Sequence, residues 1–467
     1  MIDALINTFA LSNLDPWWRT VVSESLVGKT ISALHKSALL NAPAVGNILQ
    51  NLAFAAVALL FGILAAPWFA DDKNVLALMT SAAAGLWLLG YLLHGKEERR
   101  ASGVDITVWL FLAINVIAAA SSHYLSASIH GLQKLVVYII AYFLFTAVFQ
   151  QSTKRKYIVL GLLFLCAIAV SLHGFYQYHI HVAPLATWED PTVESGGTRI
   201  YGTLKNPNLL AGYLISIAPI ACGFGIAGIA RKNYLVAAFG LVTAAMVSVA
   251  TIFTGCRGAY IGLFFGFGTI IFMLFASLWK TQPSRRVWLA MGCLILPVLA
   301  LLAMHFAVPG FDQRVGSIFV GGEHSSNAYR LYVWRASINM FKDNWWLGVG
   351  PGNQAFVLAY GLYMKSGFDA LGTYCVPLEV GVEAGVMAIL SFAALIVALF
   401  ARGHKCFWLA NVEPGERWLA GGAVAALMAM MVQGIADTVF YRPQVQFIFW
   451  LLVAILVTSQ QKTKETD

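Results

Sequence analysis

Apolar runs long enough to cross a membrane recur along almost the whole chain, and short segments rich in glycine, proline, asparagine or charge separate them. A bilayer core about 30 Å thick needs roughly 20 apolar residues in one helix. By that criterion the sequence predicts about twelve transmembrane helices. The predicted spans are 48–68, 75–94, 105–122, 132–150, 157–177, 208–229, 234–253, 258–279, 287–307, 376–400, 417–437 and 444–460.

The spans divide the chain into five predicted parts. They are an N-terminal extension (1–47), spans one to nine (48–307), a large loop outside the membrane (308–375), spans ten to twelve (376–460) and a short tail (461–467). Trp17 and Trp18 suggest that part of the extension is an interfacial helix, because tryptophan is enriched at membrane surfaces. We therefore predict an all-α polytopic membrane protein with one large loop on the outer side.

The composition supports this class of protein. Charged residues make up 11% of the chain and hydrophobic residues 59%, whereas about 25% of residues are charged in an ordinary soluble domain. These values exclude a soluble enzyme and a disordered chain. The six cysteines have no spacing typical of a metal site, so we interpret them as small buried hydrophobic residues.

The basic residues predict the orientation of the chain. The formal net charge is +8, and each short loop on the same predicted side as the N-terminus is basic, as in Lys154-Arg155-Lys156 and Arg231-Lys232. The positive-inside rule then predicts that both termini are cytoplasmic and that the spans are even in number. Because this charge belongs to cytoplasmic loops, it does not indicate a nucleic-acid partner.

The start of the sixth span is a first candidate anion site. Asn206 is a suitable N-cap and Pro207 suits the first helical position. The free N–H groups of this helix start would point outward beside Lys205, with Asn208 in the same turn, and such a terminus favours an anion. The alternative is an ordinary capped span with a snorkelling lysine. Arg199, a little earlier on the same side, is a further candidate for binding substrate.

Arg257 is the sharpest single candidate. It lies in the very short connection Thr254–Tyr260 between two spans, at the outer membrane boundary, where an arginine is costly unless it is paired or functional. A guanidinium binds phosphate or carboxylate through two hydrogen bonds. The alternative is a topology anchor or an ion pair with a neighbouring acid.

The large outer loop carries an amphipathic pattern. A helix is predicted over 328–342 with Leu331, Trp334, Ile338 and Phe341 on one face, and we expect it to lie on the outer membrane surface. Arg330 and Arg335 lie five residues apart on this helix, so they need not face the same target.

A glycine-rich segment follows this helix. Gly350, Gly352 and Asn353 could form an anion-binding nest, although a simple turn explains the same residues. The spacing is not that of a dinucleotide-binding motif.

Acidic residues lie at the outer ends of the last spans. Glu379 and Glu383 are four residues apart on one helix face. They are predicted partners for the outer arginines, with proton carriage as the alternative. Asp437 closes the eleventh span, and a pair with Arg442 is its simplest interpretation.

Two further sets of residues are candidates for binding an anion or a metal ion. Lys134, near the outer end of the fourth span, either snorkels or joins the anion site. His179 and His181 lie near Glu189 and Asp190, but their spacing matches no strong metal-binding pattern. We therefore expect neither a metal ion nor an organic cofactor.

Four segments make the sequence resemble a known superfamily. NPNLLAGYL, TGCRGAYIG, SSNAYRLYVWRASINMFKDNWWLGVGPGN and VPLEVGVEAG resemble the O-antigen ligase and polymerase superfamily. Within it the chain looks closest to the cyanobacterial inorganic-carbon (bicarbonate) transporter subfamily. The resemblance covers about residues 130–460, and the order and spacing of its motifs are specific.

This resemblance implies a glycosyltransferase-C-like membrane fold in the bacterial inner membrane. It also implies that a glycan is taken from undecaprenyl diphosphate, with arginines on the diphosphate and a histidine activating the acceptor. Arg257 matches one family arginine, and Arg330 or Arg335 matches the loop arginine. The position of the histidine is occupied by Tyr374, and a tyrosine with a pKa near 10 is a poor general base at pH 7.

Three functions follow from these observations. The first is glycosyl transfer from a lipid-linked glycan, without a metal ion. The second is bicarbonate transport or support of carbon accumulation, and the third is binding of the lipid carrier without catalysis. The predicted partners are accordingly membrane lipid with either an undecaprenyl-diphosphate-linked glycan or bicarbonate. The sequence leaves open whether the protein is an enzyme and whether it forms oligomers.

Overall fold

The protein is described here from a computed structural model. It describes residues 2–36, 42–67, 73–94, 100–183, 198–281, 283–288, 290–292, 311–316, 325–409 and 411–459, and single positions at 185, 295, 302, 305 and 306. Within these residues the regular structure is entirely helical, with no strand. The protein is therefore an all-α polytopic membrane protein, as the hydrophobic pattern predicted.

The helices follow the predicted spans closely. They are α1 (Ile2–Phe9), α2 (Asp15–Glu24), α3 (Leu26–Lys36), α4 (Pro43–Gly62), α5 (Lys73–His94), α6 (Val104–Ser121), α7 (Leu125–Gln151), α8 (Thr153–His179), α9 (Pro207–Ala230), α10 (Tyr234–Phe253), α11 (Arg257–Thr281), α12 (Phe311–Gly316), α13 (Ser325–Asp343), α14 (Asn353–Tyr360), α15 (Val376–His404), α16 (Pro414–Gln433) and α17 (Pro443–Thr458).

Nine of the described helices, α4 to α11 and α15, are long and apolar enough to cross a bilayer. The last two predicted spans correspond to α16 and α17. The predicted ninth span, 287–307, falls largely outside the described residues. In the N-terminal extension, the proposed interfacial segment is helical as α2 and α3.

The centre of the bundle is formed by α9, α16 and α17. Every residue of α17 from Gln444 to Thr458 is buried, which is expected of a helix that is apolar on all sides. Glycines let α9 and α16 approach closely: a Cβ atom at Gly223 would lie 2.6 Å from the Cα atom of Gly422. Small residues at such contacts are typical of helix packing in membranes.

One end of the bundle, called here the basic end, gathers the basic loops predicted to be cytoplasmic. The buried Lys156 Nζ lies 2.6 Å from Glu416 Oε2, and Arg231 pairs with Glu413. Asp15 accepts a 2.7 Å hydrogen bond from the Gly103 N–H and pairs with Arg402 at 3.1 Å. These contacts join α8 and α9 to α16, and α15 to the N-terminal extension.

The opposite end, called here the loop end, contains the connections that precede α9, α11, α15 and α17. Its defining residues are Arg199, Arg257 and Asp437, and α13 and α14 pack there. The predicted anion-binding residues therefore lie at the end of the bundle away from the basic loops.

Helix α15 is broken near the loop end. Ala384 and Gly385 have non-helical backbone angles, and Gly385 has φ +76°. The segment 345–350 supplies the missing backbone hydrogen bonds. The N–H groups of Val349 and Gly350 donate to the carbonyls of Val382 and Glu383 at 2.9 Å, and the Val386 N–H donates to the Trp345 carbonyl at 2.8 Å. Irregular backbone is tolerated at membrane depth only where protein satisfies it in this way.

The two ends should lie on opposite sides of the membrane. The exposed residues Lys205, at the loop end, and Lys232, at the basic end, are suitable reporter positions. In a cysteine-free background of intact cells, we expect Lys205→Cys to react with a membrane-impermeant maleimide and Lys232→Cys to react only after lysis. Reaction of Lys232→Cys in intact cells would reverse the predicted orientation.

Candidate functional site

Arg257 stands at the start of α11 in a tight turn. Gly255 adopts φ +66°, and the N–H groups of Ala259 and Tyr260 both donate to the Cys256 carbonyl. The Arg257 guanidinium donates a 3.0 Å hydrogen bond from Nη2 to Asn327 Oδ1 on α13. The positive end of the α11 dipole lies at the same place, and it adds to the attraction for an anion.

Arg199 connects this turn to the start of α9. Its Nε donates to the Thr254 carbonyl at 2.8 Å, and its Nη2 donates to Asn208 Oδ1 at 2.9 Å. The predicted N-cap is present, because Asn206 Oδ1 accepts from the N–H groups of Asn208 and Leu209. Those two N–H groups therefore serve the cap rather than an external anion. Lys205, with φ +58°, is exposed beside them.

Helix α13 distinguishes its two arginines. It buries Val333, Ala336, Ser337 and Met340 against the protein. Arg330 extends that face by one turn and is half-buried, whereas Arg335 is exposed. Leu331 and Ile338, from the predicted apolar face, are 40% and 42% exposed. That face is therefore open on the outside of the protein, as expected if it meets the membrane surface.

Two arginines act on Asp437 and Cys256, and a third lies next to Cys256 in the chain. Asp437 is buried, and Arg330 and Arg199 both interact electrostatically with it and with Cys256. Arg257 follows Cys256 directly in the chain. Burial raises the pKa of Asp437 above its ordinary value, while the two arginines oppose that rise. The predicted pair with Arg442 does not form; instead the Asp437 carboxylate accepts a 3.2 Å hydrogen bond from the Val439 N–H. One buried acid thus faces several cations.

Tyr374 lies at the edge of this cluster in a strained turn. Its backbone has φ +55°, and its ring meets the Tyr329 ring edge-on at 5.8 Å between centroids. Burial and the neighbouring Tyr329 raise the pKa of Tyr374 above its ordinary value. Removing a proton from this phenol is therefore harder than in water, which disfavours a role as general base.

Glu379 holds the turn that carries Tyr374. Its Oε2 accepts a 2.6 Å hydrogen bond from the Thr373 N–H and a 3.0 Å hydrogen bond from the Thr373 hydroxyl. At Gly372 a Cβ atom would lie 2.6 Å from this carboxylate, so only glycine leaves room for it. The predicted arginine partner of Glu379 is not found among the described residues.

Glu383 faces a different set of groups. It is buried next to the Gly352 N–H and near Lys134, and Lys134 Nζ donates a 3.3 Å hydrogen bond to Asn353 Oδ1. In the part of the chain that is described, it forms no ion pair with an arginine. Lys134, Glu383 and Asn353 thus form a group of their own beside the break in α15.

The glycines of the 350–352 segment allow close packing. Gly350 has φ +116° and Gly352 has φ +99°. A Cβ atom at Gly352 would lie 2.6 Å from the Gly131 Cα atom. The Gly350 N–H already donates to the Glu383 carbonyl, which removes one donor from the predicted anion nest.

The proposed metal alternative involves residues that are described only in part. His179 ends α8 and His181 has φ +49°, while Glu189 and Asp190 lie outside the described residues. Among the residues that are described, no group of three or more histidine, cysteine or acidic side chains is arranged to hold a metal ion.

Two important partners were not predicted from the sequence. Thr373 positions the turn next to Tyr374, and Ser122 donates a 2.5 Å hydrogen bond to the Val349 carbonyl in the segment that bridges the broken helix. Both are small hydroxyl residues without a local pattern. The sequence signal for the broken helix was Gly385, a glycine inside an apolar span.

Gly385 should be essential to the break in α15. A Cβ atom there would lie 2.0 Å from the Trp346 carbonyl oxygen, and its backbone angles are open to almost no residue but glycine. We expect Gly385→Ala to lower the free energy of unfolding by roughly 2 kcal/mol or more, measured by thermal unfolding of purified protein. Gly361→Ala is the control, because its Cβ atom would meet nothing closer than 3.7 Å. Equal melting temperatures for the two variants would contradict this account.

Comparisons with known proteins bear on the same region. Residues 239–393 match the family model described as O-antigen ligase, and this stretch includes Arg257, Arg330, Tyr374 and Glu383. The chain is also 23% identical over 399 residues to the teichuronic acid biosynthesis protein TuaE of Bacillus subtilis (strain 168), covering 82% of this chain and 77% of that protein. From α10 into α15, the part of the chain that carries Arg257 and Arg330, the chain is thus similar to the O-antigen ligase family.

Proposed function

We propose that the protein is a membrane glycosyltransferase of the ligase or polymerase type. It binds a polyprenyl-diphosphate-linked glycan at the loop end and transfers the glycan to an acceptor hydroxyl. The single observation that carries this proposal is that Arg199 and Arg330 lie around one buried acid, Asp437, with Arg257 in the turn to which Arg199 is bonded. Guanidinium groups bind the oxygens of a dianionic diphosphate through charge-assisted hydrogen bonds.

The match to the O-antigen ligase family and the similarity to a teichuronic acid biosynthesis protein support a role in polysaccharide biosynthesis. We further propose that the protein lies in the bacterial inner membrane with the loop end in the periplasm. The basic loops at the opposite end favour that orientation.

The proposed chemistry is a substitution at the anomeric carbon of the donor. The bond from this carbon to the diphosphate oxygen breaks, and a bond to the acceptor oxygen forms. The leaving diphosphate takes the electron pair, and the arginines stabilise the negative charge that develops on it. Fixed cations in a site shielded from water provide such stabilisation without reorganising during the reaction. The acceptor proton must pass to a base.

Asp437 is our candidate for that base, in place of the histidine that the superfamily resemblance implies. It is buried, it interacts electrostatically with Tyr374, and its pKa is raised in the direction that improves a carboxylate as a base at neutral pH. Tyr374, with its pKa raised, is better suited to orient the acceptor by hydrogen bonding.

Bicarbonate transport is the less favoured candidate. Neither comparison supports the bicarbonate subfamily. In addition, the central helix α17 is apolar from Phe447 to Val457 in the described core, which offers no polar path along it for a small anion. A carrier-binding protein without catalysis would use the same arginines, so only an assay of transfer distinguishes it from an enzyme.

The arginine cluster should be required for transfer. We expect Arg257→Ala and Arg330→Ala each to lower kcat by about 10²-fold or more, the usual loss when one donor to a developing anion is removed. The exposed Arg335→Ala should stay within about threefold of wild type, since surface substitutions rarely matter. The measurement is transfer of a radiolabelled oligosaccharide from a polyprenyl diphosphate by purified protein. Carrier binding without any transfer would identify a binding protein, and full activity of Arg257→Ala would remove the proposed site.

Asp437 and Tyr374 should differ in their effects on the rate. Asp437→Asn keeps an oxygen for the Val439 N–H but cannot accept a proton, so we expect kcat to fall by about 10²–10⁴-fold. Tyr374→Phe should lower it by only about tenfold or less, the usual value of one hydrogen bond. The pH dependence of kcat separates these roles. A lost acidic limb in Tyr374→Phe, with Asp437→Asn still active, would assign the base to Tyr374.

A further inference from the structure

A large apolar groove opens between helices toward the basic end. It has a volume of about 680 Å³, within the range of roughly 300–1,000 Å³ that is typical of small-molecule sites. Helices α1, α11, α15 and α16 form its walls. Its lining is mostly aromatic and aliphatic and includes Phe9, Phe265, Phe272, Val397 and Met428.

Apolar side chains in the walls of the groove are exposed. Phe264 is 65% exposed and Phe272 is 64% exposed, although both lie in the middle of a membrane-spanning helix. At Gly268, which also lines the groove, a Cβ atom would meet nothing within 4 Å. The space is therefore open to a flexible apolar chain.

A cation lies at the mouth of this groove. Arg417 lies on the same face of α16 as Val424 and Met428, and these two residues line the groove. Its guanidinium stacks 4.5 Å from the ring of Phe407 and lies 5.7 Å from the ring of Trp408, another lining residue. Its Nη2 donates at 3.4 Å to the hydroxyl of Ser277, one turn beyond the lining residue Met273.

Arg417 has an unusual environment for a cation. Its Nε is buried without a hydrogen-bond partner, and no described carboxylate pairs with it. The adjacent Glu416 is used by Lys156 and Arg231. Arg417 also lies in the first turn of α16, where the helix dipole disfavours a positive charge. A negative ligand on this guanidinium would offset the unfavourable position of the charge in the helix dipole.

We propose that this groove binds an anionic glycerophospholipid from the leaflet at the basic end. One acyl chain would lie along Phe265, Gly268 and Phe272, and the phosphate would sit on Arg417 with Trp408 at the level of the headgroup. Basic pockets between transmembrane helices are known to select anionic headgroups in this way, and tryptophan favours that depth.

The headgroup contact can be tested with phosphatidylglycerol as the probe. Native mass spectrometry of the full chain in detergent would measure the retained lipid during a titration, with phosphatidylethanolamine as the zwitterionic comparison. We expect Arg417→Gln to weaken phosphatidylglycerol binding about tenfold, the value of a typical charge-assisted hydrogen bond, and to change phosphatidylethanolamine binding less than about twofold. Arg286→Gln is the matched control, because Arg286 also stacks on a tryptophan, Trp279, at the same end.

The contact with the acyl chain is tested separately by filling the groove. Gly268→Phe should weaken both lipids, whereas Gly85→Phe, also at an open glycine, should weaken neither. Unchanged phosphatidylglycerol binding in Arg417→Gln would overturn the headgroup contact, and unchanged binding in Gly268→Phe would overturn the groove. Displacement of phosphatidylglycerol by a lower concentration of polyprenyl phosphate would show that the occupant is the carrier instead. Loss of a dimer in Gly268→Phe would make the groove an interface between two copies, which also overturns the proposal.

Discussion

The loop end depends on the backbone hydrogen bonds that bridge the break in α15. A membrane helix that loses its own hydrogen bonds must find replacements within the protein, because lipid offers none. The segment 345–350 provides them, and Ser122 fixes that segment to the start of α7. Through this bridge the packing of α13 and α14 is tied to the membrane helices. Arg330 on α13 is consequently held at a defined place relative to α11 and the turn before α17.

The same constraint explains why small residues gather there. The backbone of 345–352 touches α15 and α7 directly, and a Cβ atom at Gly348 would lie 2.4 Å from the Glu383 carbonyl carbon. Glycines that resemble a phosphate-binding loop therefore serve mainly to bring two backbones together. The chemistry of the loop end comes instead from guanidinium groups, which approach from three separate elements. Guanidinium groups gathered near one buried acid are suited to a diphosphate.

The two ends of the bundle use charge differently. At the basic end, Lys156 and Arg231 are matched by Glu416 and Glu413, so most of the buried charge is neutralised within the protein. At the loop end Arg199 and Arg330 lie around one buried acid, Asp437. A buried ion pair mainly avoids the cost of an isolated charge, whereas guanidinium groups gathered in one site can bind a phosphate. Arg417 at the basic end pairs with no described carboxylate, and the proposed lipid site is built on it.

The sequence by itself determined the class of protein, nearly all the helices and the separation of basic loops from candidate site residues. These are local properties, set by the length of apolar runs and the residues between them. Only the tertiary structure decided that Arg330 rather than Arg335 faces Asp437, that Glu379 holds Thr373 rather than an arginine, and that the glycine segment bridges a broken helix. Those contacts join residues distant in the chain, and their geometry depends on how the helices pack, which hydrophobic periodicity alone does not encode.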